Sequence, residues 1–312
     1  MNVLDYLLRN KRPSGLTEAA TARAVLGNNA TMYYNEQGQF MAATVIIGQS
    51  STLFTAHLDT VDHAQGTNRL TVWDDKGSQF VKAESSILGA DNGAGVYLLT
   101  AMMDNNIQGT YHFYAEEECG SVGSKWLVKN HPELYQGLLR AIAFDRKGTS
   151  DVIVEQLGGE CCSPKFAIAL CDALTCDKYA YEPAIGVFTD TANMIGLIPE
   201  CTNIAVGYYN EHTDAEYLDL TYLRTLLSKC LTIDWEGLPV IRVAAPRKAW
   251  GNSRNNKVST YYDEFDNYSY LANDDISHDQ AVDEVIDRMI MRGITITDLL
   301  DYIRESGNTD LL

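Results

Sequence analysis

The chain has 312 residues, 46% hydrophobic and 21% charged, an ordinary composition for a soluble globular protein and long enough to bury a large core. Its 24 basic and 42 acidic residues leave a formal charge of −18, which speaks against a nucleic-acid or anionic-membrane partner and suits a site that attracts metal ions or amines. No apolar run approaches the ~20 residues that span a bilayer, no signal peptide is read in MNVLDYLLRNKRPSG, and the seven cysteines without a CxxC pair fit reduced thiols, so the expectation is a cytoplasmic protein.

From about residue 40 to 235, strand-like and helix-like runs alternate. TVIIG and TLFTA predict strands, and Gly93 to Asn105 predicts a helix with Val96, Leu99 and Met103 on one face. TYHFYA predicts a third strand, followed by a helix opening near Ser121, and AIAF and DVIVE two more strands. Ser163 and Pro164 supply an N-cap and a proline at the first helical position of FAIALCDAL. TNIAVGY predicts a strand, and Leu223, Leu226, Leu227, Cys230 and Leu231 form the stripe of an amphipathic helix. The alternation predicts an α/β fold, a three-layer sandwich with a mostly parallel central sheet flanked by helices, carried by residues 1–243. Residues 244–276 have aromatics but few aliphatics and read as a linker or surface strap. Residues 277–312 read as a small helical appendage, with one helix closed by Gly293 and another capped by Thr297.

Chemistry collects at the strand ends. TAHLDTVD places His57 and Asp59 two apart, on one face of a strand, where the carboxylate can hold one ring N–H while the other nitrogen binds a metal. Taken alone, the pair reads more readily as a structural histidine than as a ligand. ILGADNGAGV puts Asp91 in a glycine-rich turn, where capping of the following helix by Asp91 or Asn92 is the simpler reading. That turn lacks the spacing of a phosphate-cradling loop, so no nucleotide site is expected. AEEECGSVGSK crowds Glu116, Glu117 and Glu118 at a strand end; such repulsion is tolerated in a solvated loop or around a cation. Asp145 follows AIAF and His212 follows TNIAVGY, giving the order His, Asp, Glu, Asp, His. His63, His112, His131, Met102 and Met103 read as surface or core residues.

HLDTVD, GADNGAG, EEECGSVGS and HTDAE together resemble the co-catalytic di-zinc peptidases and deacylases of clan MH, which include peptidase T and bacterial aminopeptidases, over about residues 50–235. The resemblance implies that His57, Asp91 and Asp145 hold one Zn2+ and Asp91, Glu118 and His212 a second, with Mn2+ or Co2+ as alternatives. It makes Glu117 the general base, Asp59 the partner of His57, and Glu116 structural, and it implies a cis peptide between Asp91 and Asn92. Two departures stand out. Asn92 replaces an aspartate common in relatives, and the span from Asp145 to His212 holds only one strand–helix–strand unit, so the lid domain of the peptidase T branch is expected to be missing. Asp190 in VFTDTAN resembles a turn near the metals that either touches substrate or caps a short helix; Arg146, next to a ligand, could face the pocket. Between Asp145 and His212 nine acidic residues face four basic ones, which favours a cationic α-amine over a substrate carboxylate. The reading is therefore an aminopeptidase acting on peptide or aminoacyl substrates, compatible with a homo-oligomer. A deacylase or carboxypeptidase of small N-acyl amino acids is the alternative enzyme, and a non-catalytic scaffold on the same fold the alternative class.

Overall fold

The computed structural model describes residues 2–157 and 159–244; the strap, but for Ala244, and the helical appendage lie outside them. Two short helices come first. In α1 (Val3–Arg9) the Asn2 side chain accepts the N–H groups of Leu4 and Asp5 and caps the helix; α2 (Glu18–Leu26) follows. Then come β1 (Thr31–Tyr34), β2 (Phe40–Ile47), β3 (Thr52–His57) and a hairpin of β4 (Leu70–Asp75) and β5 (Ser78–Ala83). The helix α3 (Ala90–Asp104) leads to β6 (Gly109–Tyr114), α4 (Val122–Asn130), β7 (Arg140–Arg146), β8 (Asp151–Gln156) and a short β9 (Gly159–Glu160). The expected cap forms at α5 (Pro164–Leu174), where the Ser163 hydroxyl accepts from the Phe166 N–H. After β10 (Glu182–Ile185) and a 3-10 turn over Asp190–Met194 come β11 (Glu200–Ala205), β12 (Tyr208–Tyr209), β13 (Tyr217–Asp219) and α6 (Leu220–Cys230).

The main sheet runs in the order β1-β2-β6-β3-β7-β11-β8-β10, with β9 beside β8. Its centre, β6-β3-β7-β11, is parallel, while β2 pairs antiparallel with β6 and β8 with β11. The parallel strands are the near-continuous apolar runs, as strands covered on both faces must be. On one face Phe54, Phe113, Ile142 and Phe144 pack with Val96 and Leu99 of α3 and Leu223 and Leu226 of α6. On the other, Leu53, Tyr114 and Ala141 pack with Leu127 and Val128 of α4 and Met194 of the 3-10 turn. The sandwich is as the alternation predicts, with antiparallel strands toward the sheet's edges. A separate four-stranded sheet, β12-β13-β5-β4, goes beyond that expectation, as do α1, α2 and β1. The chain between Asp145 and His212 stays within these two sheets and the helix and turn packed on them.

None of the seven cysteines is in a disulfide bond. Among the described residues no helix is long and apolar enough to cross a membrane. What matters for the site is direction: β3, β6, β7 and β11 run parallel, so the residues that end or follow them emerge along one edge of the sheet.

Candidate metal centre and active site

His57 closes β3 and is 1% exposed. Its Nδ1 lies 3.2 Å from the Asp59 carbonyl oxygen and 3.3 Å from Asp59 Oδ1. Its Nε2 lies 3.1 Å from Asp91 Oδ1 and 3.2 Å from Asp145 Oδ1. Asp91 enters where α3 begins, in non-helical backbone and through a cis Asp91–Asn92 peptide. Behind it the Asn92 side chain accepts the Gly95 N–H at 3.0 Å. Gly95 has no alternative: a Cβ there would stand 2.1 Å from the Phe144 carbonyl oxygen. His212, in left-handed backbone after β12, brings its Nε2 to 3.2 Å from Asp91 Oδ2 and 3.1 Å from both Glu118 oxygens. Asp91 thus stands between the two histidines.

Two overlapping groups of side chains bring their ligand atoms within 4.8 Å of one another: His57, Glu117 and Asp145, and His57, Asp91 and Glu118. The structure brings together His57, Asp59, Asp91, Glu117, Glu118, Asp145 and His212, from five separate stretches of chain. Carboxylates this close stabilise positive charge among them. Burial acts against the cationic form of His57, yet Asp145, Asp59 and Asp91 raise its pKa well above the usual imidazole value. Burial likewise opposes the charge on His212, but hydrogen bonds donated to Asp91 and Glu118 push its pKa up to about 11. Burial, reinforced by Asp91, raises Glu118 to about 7, and burial raises Glu117 well above the usual carboxylate value.

Several of the contacts that hold the site owe nothing to a sequence signal. Asp59 collects four donors: besides His57, its carboxylate accepts Ser14 Oγ at 2.6 Å and the backbone N–H groups of Glu117 and Glu118 at 3.1 and 3.2 Å. It therefore orients an imidazole and holds the glutamate loop at once. Asp145 is steadied by Thr189 Oγ1 at 2.6 Å, by Tyr208 at 3.4 Å, and by Asn203, which bonds both its N–H and its carbonyl. Asp190 opens the 3-10 turn with 2% exposure; its Oδ1 has no hydrogen-bond partner, and burial lifts its pKa to about 7. Arg146 is engaged with Asp151 at 3.0 Å and Lys147 with Glu211 at 2.7 Å. Lys125 of α4 is half-buried, 5.8 Å from the centre of the Phe188 ring and within the fields of Asp190 and Glu117. Glu116, in left-handed backbone, instead lines a cavity of about 290 Å³ with Glu18, Tyr34 and Phe40.

No protein-family model and no curated sequence matches the chain. Solved structures do match its fold. A tripeptidase from Staphylococcus aureus superposes with a TM-score of 0.57 at 15% identity, covering 74% of this chain and 95% of that one. The aminopeptidase PepT from Bacillus cereus gives 0.54 at 14% identity over 74% and 96%. The Pyrococcus horikoshii TET1 peptidase, which can assemble into a tetrahedron or a large octahedral shell, gives 0.50 at 17% over 74% and 98%. The chain has the fold of these peptidases.

Proposed function

We propose that the protein is a metal-dependent hydrolase of peptide bonds, an aminopeptidase with two Zn2+ held by His57, Asp91 and Asp145 and by Asp91, Glu118 and His212. The observation that carries the reading is the donor spacing. Ligand atoms about 2.0–2.1 Å from a zinc ion at tetrahedral angles stand about 3.3–3.4 Å apart. The His57 and His212 Nε2 atoms stand 3.1–3.2 Å from carboxylate oxygens. With the Nδ1 proton of His57 given to Asp59, its Nε2 and the oxygens it faces are all acceptors, an arrangement that suits a shared cation.

When bound, such a metal pair polarises the scissile carbonyl and acidifies a water. The chain's own part falls to Glu117. Its backbone N–H is fixed by Asp59 and its Oε1 lies 3.3 Å from the Ser121 hydroxyl. Burial favours its protonated form, so the carboxylate can take a proton and pass it to the leaving amine. The pairing of Arg146 with Asp151 and of Lys147 with Glu211 supports amine recognition, because those cations already have carboxylate partners.

A second reading rests on Lys125, which lies within the fields of Glu117 and Asp190: in a deacylase or carboxypeptidase a lysine beside the site would hold the substrate carboxylate. Elemental analysis together with hydrolysis of aminoacyl anilides, free and N-acetylated, separates the readings. Two zinc ions per chain, with cleavage of free N-termini alone, support the aminopeptidase. Cleavage of N-acyl amino acids that Lys125→Met abolishes supports the deacylase, and absence of bound metal sinks both.

A further inference from the structure

Two buried charges that the proposed chemistry does not use meet at one residue beneath the site. Arg12, from the segment after α1, is 0% exposed. Its Nη1 donates to the Leu58 carbonyl oxygen at 2.8 Å, between His57 and Asp59, and its Nη2 donates to the Gly89 carbonyl oxygen. Glu216, just before β13, is also 0% exposed. It accepts the Gly89 N–H at 2.8 Å and the Asp91 N–H at 2.9 Å. The carbonyl and amide of Gly89 are thus held by opposite charges arriving from distant parts of the chain. Gly89 lies in left-handed backbone, and a Cβ there would come within 3.2 Å of Arg12 Nη2, so the grip requires glycine. Glu216 also sits four residues after His212, so the turn that presents one histidine also anchors the loop presenting Asp91.

Burying an arginine and a glutamate is costly unless their hydrogen bonds are met, and for stability alone apolar side chains often serve as well. What the charges achieve here is alignment. The 57–59 loop, the 89–91 loop and the 212–216 turn carry His57, Asp91 and His212, and the backbones of the first two are tied together through Arg12 and those of the last two through Glu216.

We propose that Arg12 and Glu216 are positioning residues, a buried clamp that sets the His57, Asp91 and His212 loops in metal-binding register before any cation arrives. The proposal rests on the metal-centre reading above. It requires that the loops be ordered in the metal-free protein, because a site aligned in advance spends none of its binding energy on ordering.

Two measurements on the full chain test it. Amide hydrogen exchange on the metal-stripped wild type is expected to show the Gly89 and Asp91 N–H groups protected to the level of β3. Free exchange that becomes protected only on adding Zn2+ would overturn the clamp, since the ion would then be ordering the loop. The second measurement uses the double variant Arg12→Met/Glu216→Leu and the single variant Glu216→Gln, titrated with Co2+ against a chelating dye and followed by visible spectroscopy. The expected result is 10–100-fold weaker Co2+ binding and an altered cobalt spectrum in both variants, with the metal-free double variant also unfolding at a lower temperature because the Leu58, Gly89 and Asp91 backbone groups lose their partners. Wild-type affinity and spectrum in either variant, with only the unfolding temperature changed, would make the pair merely structural. Should the wild type bind no cobalt, the metal reading fails, and the exchange data still decide whether the clamp exists.

Discussion

Asp59→Asn tests how the site is held. The carboxylate has two oxygens and four donors: His57 Nδ1, Ser14 Oγ and the N–H groups of Glu117 and Glu118. Asparagine keeps one accepting oxygen and turns the other into an NH2 group. If Oδ1 is kept, His57 and Glu117 retain their partner, Ser14 can reverse its hydroxyl to accept, and the Glu118 N–H is left facing a donor. A hydrogen bond to a charged acceptor contributes about 1.5–3 kcal/mol, so one lost bond and three weakened ones amount to about 2–4 kcal/mol. The same change frees the backbone of Glu118 and weakens the orientation of His57, which should lower metal affinity by about 10–100-fold. Urea unfolding of the metal-free protein measures the first quantity and competition with a chelating dye the second. A stability loss under about 1 kcal/mol with metal affinity intact would show that the hydrogen bonds around Asp59 do not order the site.

Glu117→Gln should keep the metals and reduce turnover by about 10²–10⁴-fold, whereas Glu118→Gln should weaken binding itself; paired metal analysis and kinetics would expose a reversed assignment. Gly95→Ala forces a methyl to 2.1 Å from the Phe144 carbonyl oxygen and 2.2 Å from Asn92 Oδ1, and should lower stability by at least about 1–3 kcal/mol, read as a fall in unfolding temperature. Burial pushes the pKa of His112 down to about 3, so NMR should find its ring neutral at pH 5. Because the unfolded chain takes up that proton near pH 6.5 and the folded one does not, stability falls with acidification below about 6.5 by up to about 1.4 kcal/mol per unit; a flat profile in a His112→Gln control alone would confirm the source.

The elements legible from sequence were those whose environment is uniform along the strand. TLFTA, TYHFYA and AIAF are buried on both faces, so their apolar runs announce parallel strands, and the polar residue closing each one becomes conspicuous. The hairpin β4–β5 escaped because its burial follows no period-2 pattern: Val72 is 53% exposed while Val81, paired opposite it, is 3%. Within the site, the histidines and carboxylates could be picked out because residue type restricts their chemistry. Arg12, Ser14, Thr189, Asn203 and Glu216 could not, since their partners include backbone groups or side chains dozens of positions away. Glu216 lies within the HTDAE motif, yet its type and spacing say nothing about an amide 127 residues upstream. Lys125 gives no signal of its own, because a lysine near the start of α4 reads as an ordinary solvated side chain.

These two classes of residue divide the physical problem of the site. A group of buried carboxylates repels itself, and water cannot relieve that repulsion at the bottom of a sheet edge. Positive charge placed directly among them would solve it, but a fixed lysine or arginine there would occupy the space a cation needs. The chain instead places a fully buried guanidinium, Arg12, behind the loops, hydrogen-bonded to backbone carbonyls and close enough for its field to reach Asp59, Glu216 and Asp91. Into the cluster itself it places imidazoles, His57 and His212, which carry positive charge when protonated and become neutral ligands when they give that proton up. The backbone alignment and part of the electrostatic relief are thereby built from groups that do not compete for the ligand atoms, so the cluster remains open to exchangeable cations.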